Sequence, residues 1–272
     1  MSIAIAAICT HHGKEILICA SDRLETQGNI SWEAVGRKKW IEHWPGVLMA
    51  GCGDISVEAE LVHAVGRRSV APVPVAPLRS PIQIARSYAA EYARVRRESS
   101  EREVLFPLGL TLAELGADPL LRDALKASKL DHSALFAGIP PVQMNEWSAP
   151  QIMCVQDPGV WTYEHGMPWA TIGSGSQWAD AELGRQGYSR SMNVAQALFA
   201  VYSAKKASEI CTSVGSATDL FVIDEAGVHD LEGTVPFEEL RRVHENICTE
   251  HQKTRDKYLD GYSFWIAARE RS

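Results

Sequence analysis

The 272-residue sequence lacks several features that would place it in a familiar class. Basic residues are not in surplus, because 27 Lys and Arg face 34 Asp and Glu and the net charge is −7. Such a chain offers no broad basic surface to nucleic acid or to an anionic membrane. It also lacks an apolar run near the roughly 20 residues of a membrane span and the regions of a signal peptide. We therefore expect a cytoplasmic protein that binds neither nucleic acid nor membrane.

Paired cysteine motifs and repeats are missing as well. The six cysteines are scattered without a C-x-x-C pair, and most lie in apolar runs such as "ILICAS" and "QIMCVQ". This usage is typical of buried free thiols in a reducing compartment rather than of disulfides or a zinc site. The adjacent His11 and His12 lie in a predicted turn without a third ligand, so we expect no metal there.

The chain does contain an ordered succession of strand-like and helix-like segments. Strand patterns occur in "SIAIAAIC", "KEILICAS" and "GVLMAGCG". Helical spacing follows in "ISVEAELVHAVGRR", for which Asp54 is a candidate N-cap. Four prolines within 70–81 predict a rigid connection, and a helix with a basic face begins at residue 82.

Strand patterns return in the second half of the chain. The segments "SALFAGI", "PQIMCVQD" and "GVWTYEH" predict an antiparallel meander and hence a second sheet. "WATIGSGSQWADAEL" predicts a strand followed by a helix, "NVAQALFAVYSAKKASEI" a further helix, and "TDLFVIDEAGVHDLEG" a hairpin that turns at "DEAG". A last helix is predicted over 236–252.

This order of elements predicts an α+β fold in which helices pack outside two stacked sheets. We expect one domain over residues 1–272. Its middle segment, 101–150, looks expanded, and a C-terminal tail at 254–272 carries aromatic residues that dock on the protein.

Ser2 indicates a chemistry for this fold. Because Ser2 is small, removal of Met1 is sterically favourable and would leave a free α-amine. That amine titrates near neutral pH and can act as the base for the hydroxyl of its own residue. The site would also need a cation beside the amine, an anion to hold that cation, and backbone N–H donors for an oxyanion.

Candidates for these partners follow along the chain. Asp22 follows the strand "EILICAS", Lys39 lies in "GRKKWIE", and Gly51 lies in "LMAGCGD", where a missing side chain lets the backbone approach a substrate. Each alone has a commoner structural explanation, as a turn residue, a solvated lysine or a tight turn. Their order and spacing, taken together, favour a shared site.

Taken together, these segments resemble the proteasome β-subunit group of N-terminal nucleophile hydrolases, which includes the peptidase subunit of the bacterial proteasome-like ATP-dependent protease. "SDRLETQG" is similar to the family's Asp-x-Arg-x-Thr-x-Gly segment, with Asp22, Thr26 and Gly28 in register and the Arg one place early. "RKKWIE" is similar to the Lys-Lys-Val motif, whose second lysine, the catalytic one in the family, falls on Lys39.

Two further motifs extend the resemblance. "LMAGCGDISVEAEL" is similar to the Ala-Gly-x-x-Gly-Asp segment, one residue shorter, and places Gly51 at the oxyanion position. "TIGSGS" matches the Gly-Ser-Gly-Ser segment, whose first Ser falls on Ser174. The usual nucleophile is Thr rather than Ser. A second Asp–Ser pair has no clear counterpart; Glu209 and Ser213 fall in that region, and neither is assigned a role.

The resemblance implies a four-layer αββα sandwich that hydrolyses peptide bonds without cofactor or metal. Ser2 would attack the carbonyl, and Lys39, held by Asp22, would tune the α-amine. Gly51 would stabilise the oxyanion. In the same way, Ser174 would orient the N-terminus and Thr26 would bind the substrate backbone. A homo-oligomer such as a ring is also implied, with an ATPase unfoldase as a possible partner.

Two other functions fit the same sequence. The chain could be an amidase or acylase of this fold that acts on a small molecule. It could also be an inert structural subunit of a ring, if Met1 is retained and blocks the amine. The presence of the nucleophile, Asp and Lys positions together favours an enzyme.

Overall fold

The computed structural model describes residues 2–27, 30–34, 37–69, 80–114, 118–140, 149–157, 159–162 and 167–269. Met1, Gly28 and residues 70–79 of the predicted proline-rich connection lie outside the described residues. The contacts within the chain form two compact units, Met1–Asp230 and Leu231–Ser272. The expectation of one domain over 1–272 stays a prediction.

The first unit contains strands in three sheets and the helices that flank them. The strands are β1 (Ala4–His11), β2 (Lys14–Ser21), β3 (Leu24–Gln27), β4 (Ile30–Glu33), β5 (Trp40–Trp44), β6 (Val47–Gly53), β7 (His132–Gly138), β8 (Gln151–Gln156), β9 (Gly159–Thr162), β10 (Trp169–Ile172), β11 (Asp219–Asp224) and β12 (Gly227–Asp230). The helices are α1 (Ile55–Ser69), α2 (Pro81–Ser100), α3 (Pro119–Ala127), α4 (Ser176–Arg185) and α5 (Val194–Ser208). A π-helical turn (Glu101–Leu105) and a 3₁₀ turn (Phe106–Leu108) follow α2.

All the strand pairings are antiparallel. The first sheet has the order β10-β1-β2-β11-β12, the second has the order β5-β6-β7-β8-β9, and β3 and β4 form a two-stranded sheet. Strand β1 is an interior strand: Ala4 lies opposite Ser21 of β2 on one side and Ile172 of β10 on the other. The residue before β1 is therefore fixed by two neighbouring strands.

The two five-stranded sheets share one apolar core. Alternate residues of β1 (Ala4, Ala6 and Ile8) belong to the same buried cluster as Leu48 and Leu135 of the second sheet. Because strand side chains alternate between faces, the remaining residues of β1 point to the opposite face, where α4 and α5 contact this strand. Burial on both faces explains why "AIAAIC" is continuously apolar rather than alternating.

Helices α1 and α2 cover the other face of the second sheet. Met49, Phe136 and Met153 of that sheet form a buried cluster with Tyr88 and Tyr92 of α2. Helix α2 begins sharply because its N-cap serine and Gln83 form a capping box, with a proline in the first turn. The protein thus has a mixed α/β architecture of the α+β class, built on antiparallel sheets.

Most of the predicted elements are confirmed. The predicted early strands correspond to β1, β2 and β6, the meander to β7, β8 and β9, and the "DEAG" hairpin to β11 and β12, where Asp224 lies opposite Gly227. Asp54 caps α1 as predicted, because its carboxylate accepts a hydrogen bond of 2.8 Å from the Ser56 N–H. Strands β3, β4 and β5 were not predicted.

The second unit contains one long helix, α6 (Val235–Arg269). The predicted last helix over 236–252 is too short, and the prediction of a separate tail after it is wrong, since α6 runs through most of 254–272. The segment after residue 253 has no proline and a single glycine, so nothing in it forces the helix to end. Across the described residues, no helix combines the length and apolar character needed to cross a membrane.

Candidate active site

Ser2 and Asp22 lie together at one end of the first sheet. Ser2 comes two residues before β1, and Asp22 follows β2 directly; because these strands are antiparallel neighbours, the start of one meets the end of the other. The Ile3 N–H donates to Asp22 Oδ1 at 3.0 Å, and the Asp22 N–H donates to the Ile3 carbonyl at 3.4 Å. The ladder therefore continues past Ala4 and fixes Ser2 beside Asp22.

The Asp22 carboxylate is fully buried and receives donors from several segments. Its Oδ2 accepts hydrogen bonds from the N–H groups of Leu24 (3.1 Å) and Gly215 (2.8 Å), and its Oδ1 forms an ion pair with Lys39 Nζ. Lys39 directly precedes β5, so this pair links the two five-stranded sheets. Loss of one partner from such a buried pair costs about 3–5 kcal/mol, because the other charge remains desolvated.

Gly51 lines the same pocket as Ser2 and Lys39. This pocket is a cleft open to solvent, with a cavity volume of about 60 Å³. Gly51 lies in β6, and a Cβ atom at this position would come within 1.7 Å of Glu58 Oε2. Because this oxygen is the end of a flexible side chain, a larger residue at position 51 would displace the Glu58 carboxylate.

Ser174 lies in the turn between β10 and α4, against the carbonyl of Ser2. The Ser174 Oγ donates to this carbonyl at 3.5 Å, and the Gly175 N–H donates to it at 3.4 Å. Gly173 has a φ of +101°, and a Cβ there would lie 2.1 Å from the Ser2 oxygen. Ser213 completes the group, since its Oγ lies 2.6 Å from Ser174 Oγ. No role was predicted for Ser213, and the structure places it in direct contact with Ser174.

Cys52 is a site residue that sequence reasoning missed. The Ser2 Oγ donates a hydrogen bond of 2.9 Å to Cys52 Sγ. Burial raises the pKa of the Cys52 thiol to about 11, so it stays protonated at neutral pH. As the residue after Gly51, Cys52 points into the core between the sheets. The alternation of side chains along a strand predicts this orientation of Cys52 from the sequence, but it does not show that this face packs against Ser2.

A buried lysine on α5 binds the loop that contacts Asp22. Lys205 Nζ donates to the carbonyls of Gly215 (2.8 Å) and Ser216 (3.0 Å) and to the Glu209 carboxylate (2.5 Å). Its side chain is inaccessible to solvent, and burial lowers the pKa of Lys205 to about 8. Because the Gly215 N–H binds Asp22, Lys205 fixes the loop that holds the central carboxylate.

Glu33 at the end of β4 holds the same loop. Its Oε1 accepts hydrogen bonds from the N–H groups of Ser216 (2.5 Å) and Ala217 (2.9 Å) and from the Ser216 hydroxyl (3.0 Å). The bond from the Ala217 N–H is the largest influence that lowers the pKa of Glu33. The unpredicted strands β3 and β4 thus bring a carboxylate to the rim of the site.

Thr26 lies in β3, whose first two residues line the pocket. The backbone of Thr26 pairs with Ser31 in the β3–β4 sheet, but its side chain lies outside the described part of the chain. His11 is the last residue of β1, and His12 lies in the turn between β1 and β2. Among the described residues, no group of three or more His, Cys, Asp or Glu side chains could hold a metal ion.

The five other predicted site residues converge at one place: Ser2, Asp22, Lys39, Gly51 and Ser174 all lie at or beside the same pocket or contact Ser2. The arrangement offers a hydroxyl, a buried ion pair and a glycine backbone around open space. Comparison of the chain with known proteins gave no matching family model and no matching curated sequence.

Proposed function

We propose that the protein is an N-terminal nucleophile hydrolase that cleaves peptide bonds, with Ser2 as nucleophile once Met1 has been removed. The observation that carries this proposal is the position of Ser2. It precedes an interior strand of a sheet and lines an open pocket together with Lys39 and Gly51, while Lys39 pairs with buried Asp22. The resemblance of the sequence segments to proteasome β-subunits supports the same proposal.

In the proposed reaction the Ser2 Oγ attacks the carbonyl carbon, and its proton passes to the α-amine of the same residue. The amine then delivers that proton to the leaving nitrogen as the peptide bond breaks, which leaves an ester on Ser2. Water attacks the ester while the amine takes up the water's proton. As the bond between the acyl carbon and Ser2 Oγ breaks, the amine returns this proton to Oγ, and the acid product departs. The positive charge of Lys39 beside the amine favours its neutral, basic form.

Other residues would position the reacting groups. The Gly51 N–H would stabilise the oxyanion, and Thr26 would bind the substrate backbone. Ser174 and Ser213 would orient Ser2 through the carbonyl contact described above. Cys52 would remain a neutral neighbour of the nucleophile.

We further propose that the fold is the four-layer αββα sandwich of this family. Its support is the apolar core shared by the two sheets, with α1 and α2 on one outer face and α4 and α5 in contact with β1. The six free cysteines suit the reducing cytoplasm, where we propose that the protein acts. A homo-oligomeric ring and an ATPase partner are the assembly that this proposal implies.

The first test is the intact mass of protein produced without an N-terminal tag. We expect loss of Met1, and we expect cleavage of short fluorogenic peptides that the Ser2→Ala variant reduces by at least about 10³-fold. Ser2→Thr should retain activity, because it keeps the hydroxyl and the amine.

Other outcomes point to the alternatives. Quantitative retention of Met1 would contradict the mechanism and favour an inert structural subunit, because the base would be acylated. Turnover of small amides without turnover of any peptide would favour a small-molecule amidase of the same fold.

A further inference from the structure

Charged side chains dominate the wall of the Ser2 pocket, and its cations all have carboxylate partners. The pairs are Arg23–Asp219, Arg37–Glu25, Lys38–Asp230 and Lys39–Asp22. Since each positive charge faces a negative one, the four cations leave little net attraction for an anionic substrate.

Glu58 is the remaining charged residue of the pocket wall. None of the described residues forms an ion pair or a side-chain hydrogen bond with its carboxylate. The side chain is half-buried, and burial raises the pKa of Glu58, although the Arg37 guanidinium partly opposes this effect. Without a close counter-ion, the ionised form of a partly desolvated carboxylate is destabilised, and a bound cation would stabilise it.

The position of Glu58 connects it with the proposed chemistry. It lies in the first turn of α1, and its Oε2 lies so close to Gly51 that a Cβ there would overlap it. A substrate whose carbonyl oxygen is bound at Gly51 would therefore bring the side chain of its acyl residue near this carboxylate. Ile41 and Ile55, both partly exposed, also line the pocket and offer apolar surface to a long aliphatic stem.

We propose that Glu58 determines specificity by selecting substrates with lysine or arginine on the acyl side of the scissile bond. This inference rests on the proposed function, because it places the acyl residue by means of Gly51. A lysine or arginine side chain combines an aliphatic stem for the isoleucines with a cation for the carboxylate. A glutamate at the same position would face Glu58 directly and be rejected.

The kinetic test compares fluorogenic peptides that differ only at the acyl residue: arginine, lysine, norleucine and glutamate. We expect kcat/KM for arginine and lysine to exceed that for norleucine by about tenfold or more, with glutamate the poorest. In Glu58→Gln the arginine-to-norleucine ratio should fall close to one. The matched control is Glu60→Gln, which removes an exposed carboxylate from the same helix outside the pocket and should keep the wild-type ratio.

A binding test separates this inference from the proposed function. The Ser2→Ala protein is titrated calorimetrically with N-acetyl-argininamide and with N-acetyl-norleucinamide. Tighter binding of the arginine compound by about tenfold, lost in Ser2→Ala/Glu58→Gln, supports the assignment of Glu58 even if no peptide is cleaved. Equal binding of the two compounds, or an arginine preference that persists without Glu58, would overturn it whether or not the enzyme turns over.

Discussion

Gly173 shows how closely the backbone is packed around Ser2. Its φ of +101° lies in a region that L side chains rarely adopt, and the space where a Cβ would stand is filled by the Ser2 carbonyl. Both conditions demand glycine, one through backbone conformation and the other through contact. The turn that carries Ser174 therefore depends on Gly173 for its approach to the first strand.

Gly173→Ala should destabilise the protein by at least about 2 kcal/mol, because it adds backbone strain to an overlap with the Ser2 carbonyl. The matched control is Gly184→Ala in α4, where a Cβ meets nothing within 4 Å. We expect that variant to be neutral or stabilised by up to about 1 kcal/mol. Urea unfolding at an unchanged m-value measures both free energies of unfolding. Equal stability of the two variants would contradict the packing argument.

At this scale the sequence predicted the residues that lie next to strand ends and missed those that depend on packing. Asp22 could be found because it follows a recognisable apolar strand, and Lys39 because "RKKWIE" is similar to a family motif. Cys52 and Lys205 could not, because an apolar thiol in a strand and a lysine in a helix have no local signature of their contacts. Cys52 contacts Ser2 from 50 positions away in the sequence, and Lys205 is linked to Asp22 through the loop at Gly215.

Among the elements, helix α5 and strand β4 both bind the loop that follows α5. Lys205 Nζ donates hydrogen bonds to the carbonyls of Gly215 and Ser216, and the Glu33 carboxylate accepts hydrogen bonds from N–H groups of the same loop. The loop in turn donates its Gly215 N–H to Asp22. A helix and a two-stranded sheet thus stabilise one carboxylate through a loop that neither of them contains.

Lys205 should make the free energy of unfolding depend on pH in the alkaline range. Burial lowers the pKa of Lys205 from its ordinary value of 10.5 to about 8. Between these values the unfolded chain binds more protons than the folded one, so stability rises with pH. We expect the free energy of unfolding of the wild type, relative to Lys205→Met, to increase by about 3 kcal/mol from pH 8 to pH 10.5.

The measurement is urea unfolding of both proteins at several pH values across that range. Lys206→Met, which removes a partly exposed ammonium from the same helix, controls for the loss of one positive charge. A difference between wild type and Lys205→Met that stays constant or falls with rising pH would show that Lys205 remains charged in the folded state.

The elements that sequence patterns missed share a physical reason. Strands β3, β4 and β5 are short and rich in polar or charged residues, so neither alternation nor an apolar run marks them. They form because neighbouring strands and ion pairs hold them, as the Lys39–Asp22 pair does at the start of β5. In α6 the opposite occurred: aromatic residues suggested a docking tail, while the absence of strong breakers allowed one continuous helix.

At the scale of the whole molecule, the cysteines report on the integrity of the core. Cys9, Cys19, Cys52 and Cys154 are buried within the sheets, and burial raises the pKa of each. The other two are accessible to different degrees. Cys211 is half-buried and has a lowered pKa because Ser213 hydrogen-bonds to its sulfur, whereas Cys248 is exposed on α6.

Titration with a thiol-reactive disulfide reagent should therefore detect two fast thiols in the native protein and six after denaturation in guanidinium. Cys248→Ser should leave one fast thiol, and Cys211→Ser should remove the one with the lowered pKa. Rapid modification of three or more thiols in the native protein would show that the space between the sheets is open to solvent.

The place of β1 between β2 and β10 also affects how the chain folds during synthesis. Strand β1 leaves the ribosome before both of its neighbours; β2 can pair with it early, but β10 is synthesised only after most of the first unit. At ordinary rates of translation this delay is on the order of ten seconds. During that time one edge of an apolar strand stays without its native neighbour, which makes the nascent chain a candidate for chaperone binding.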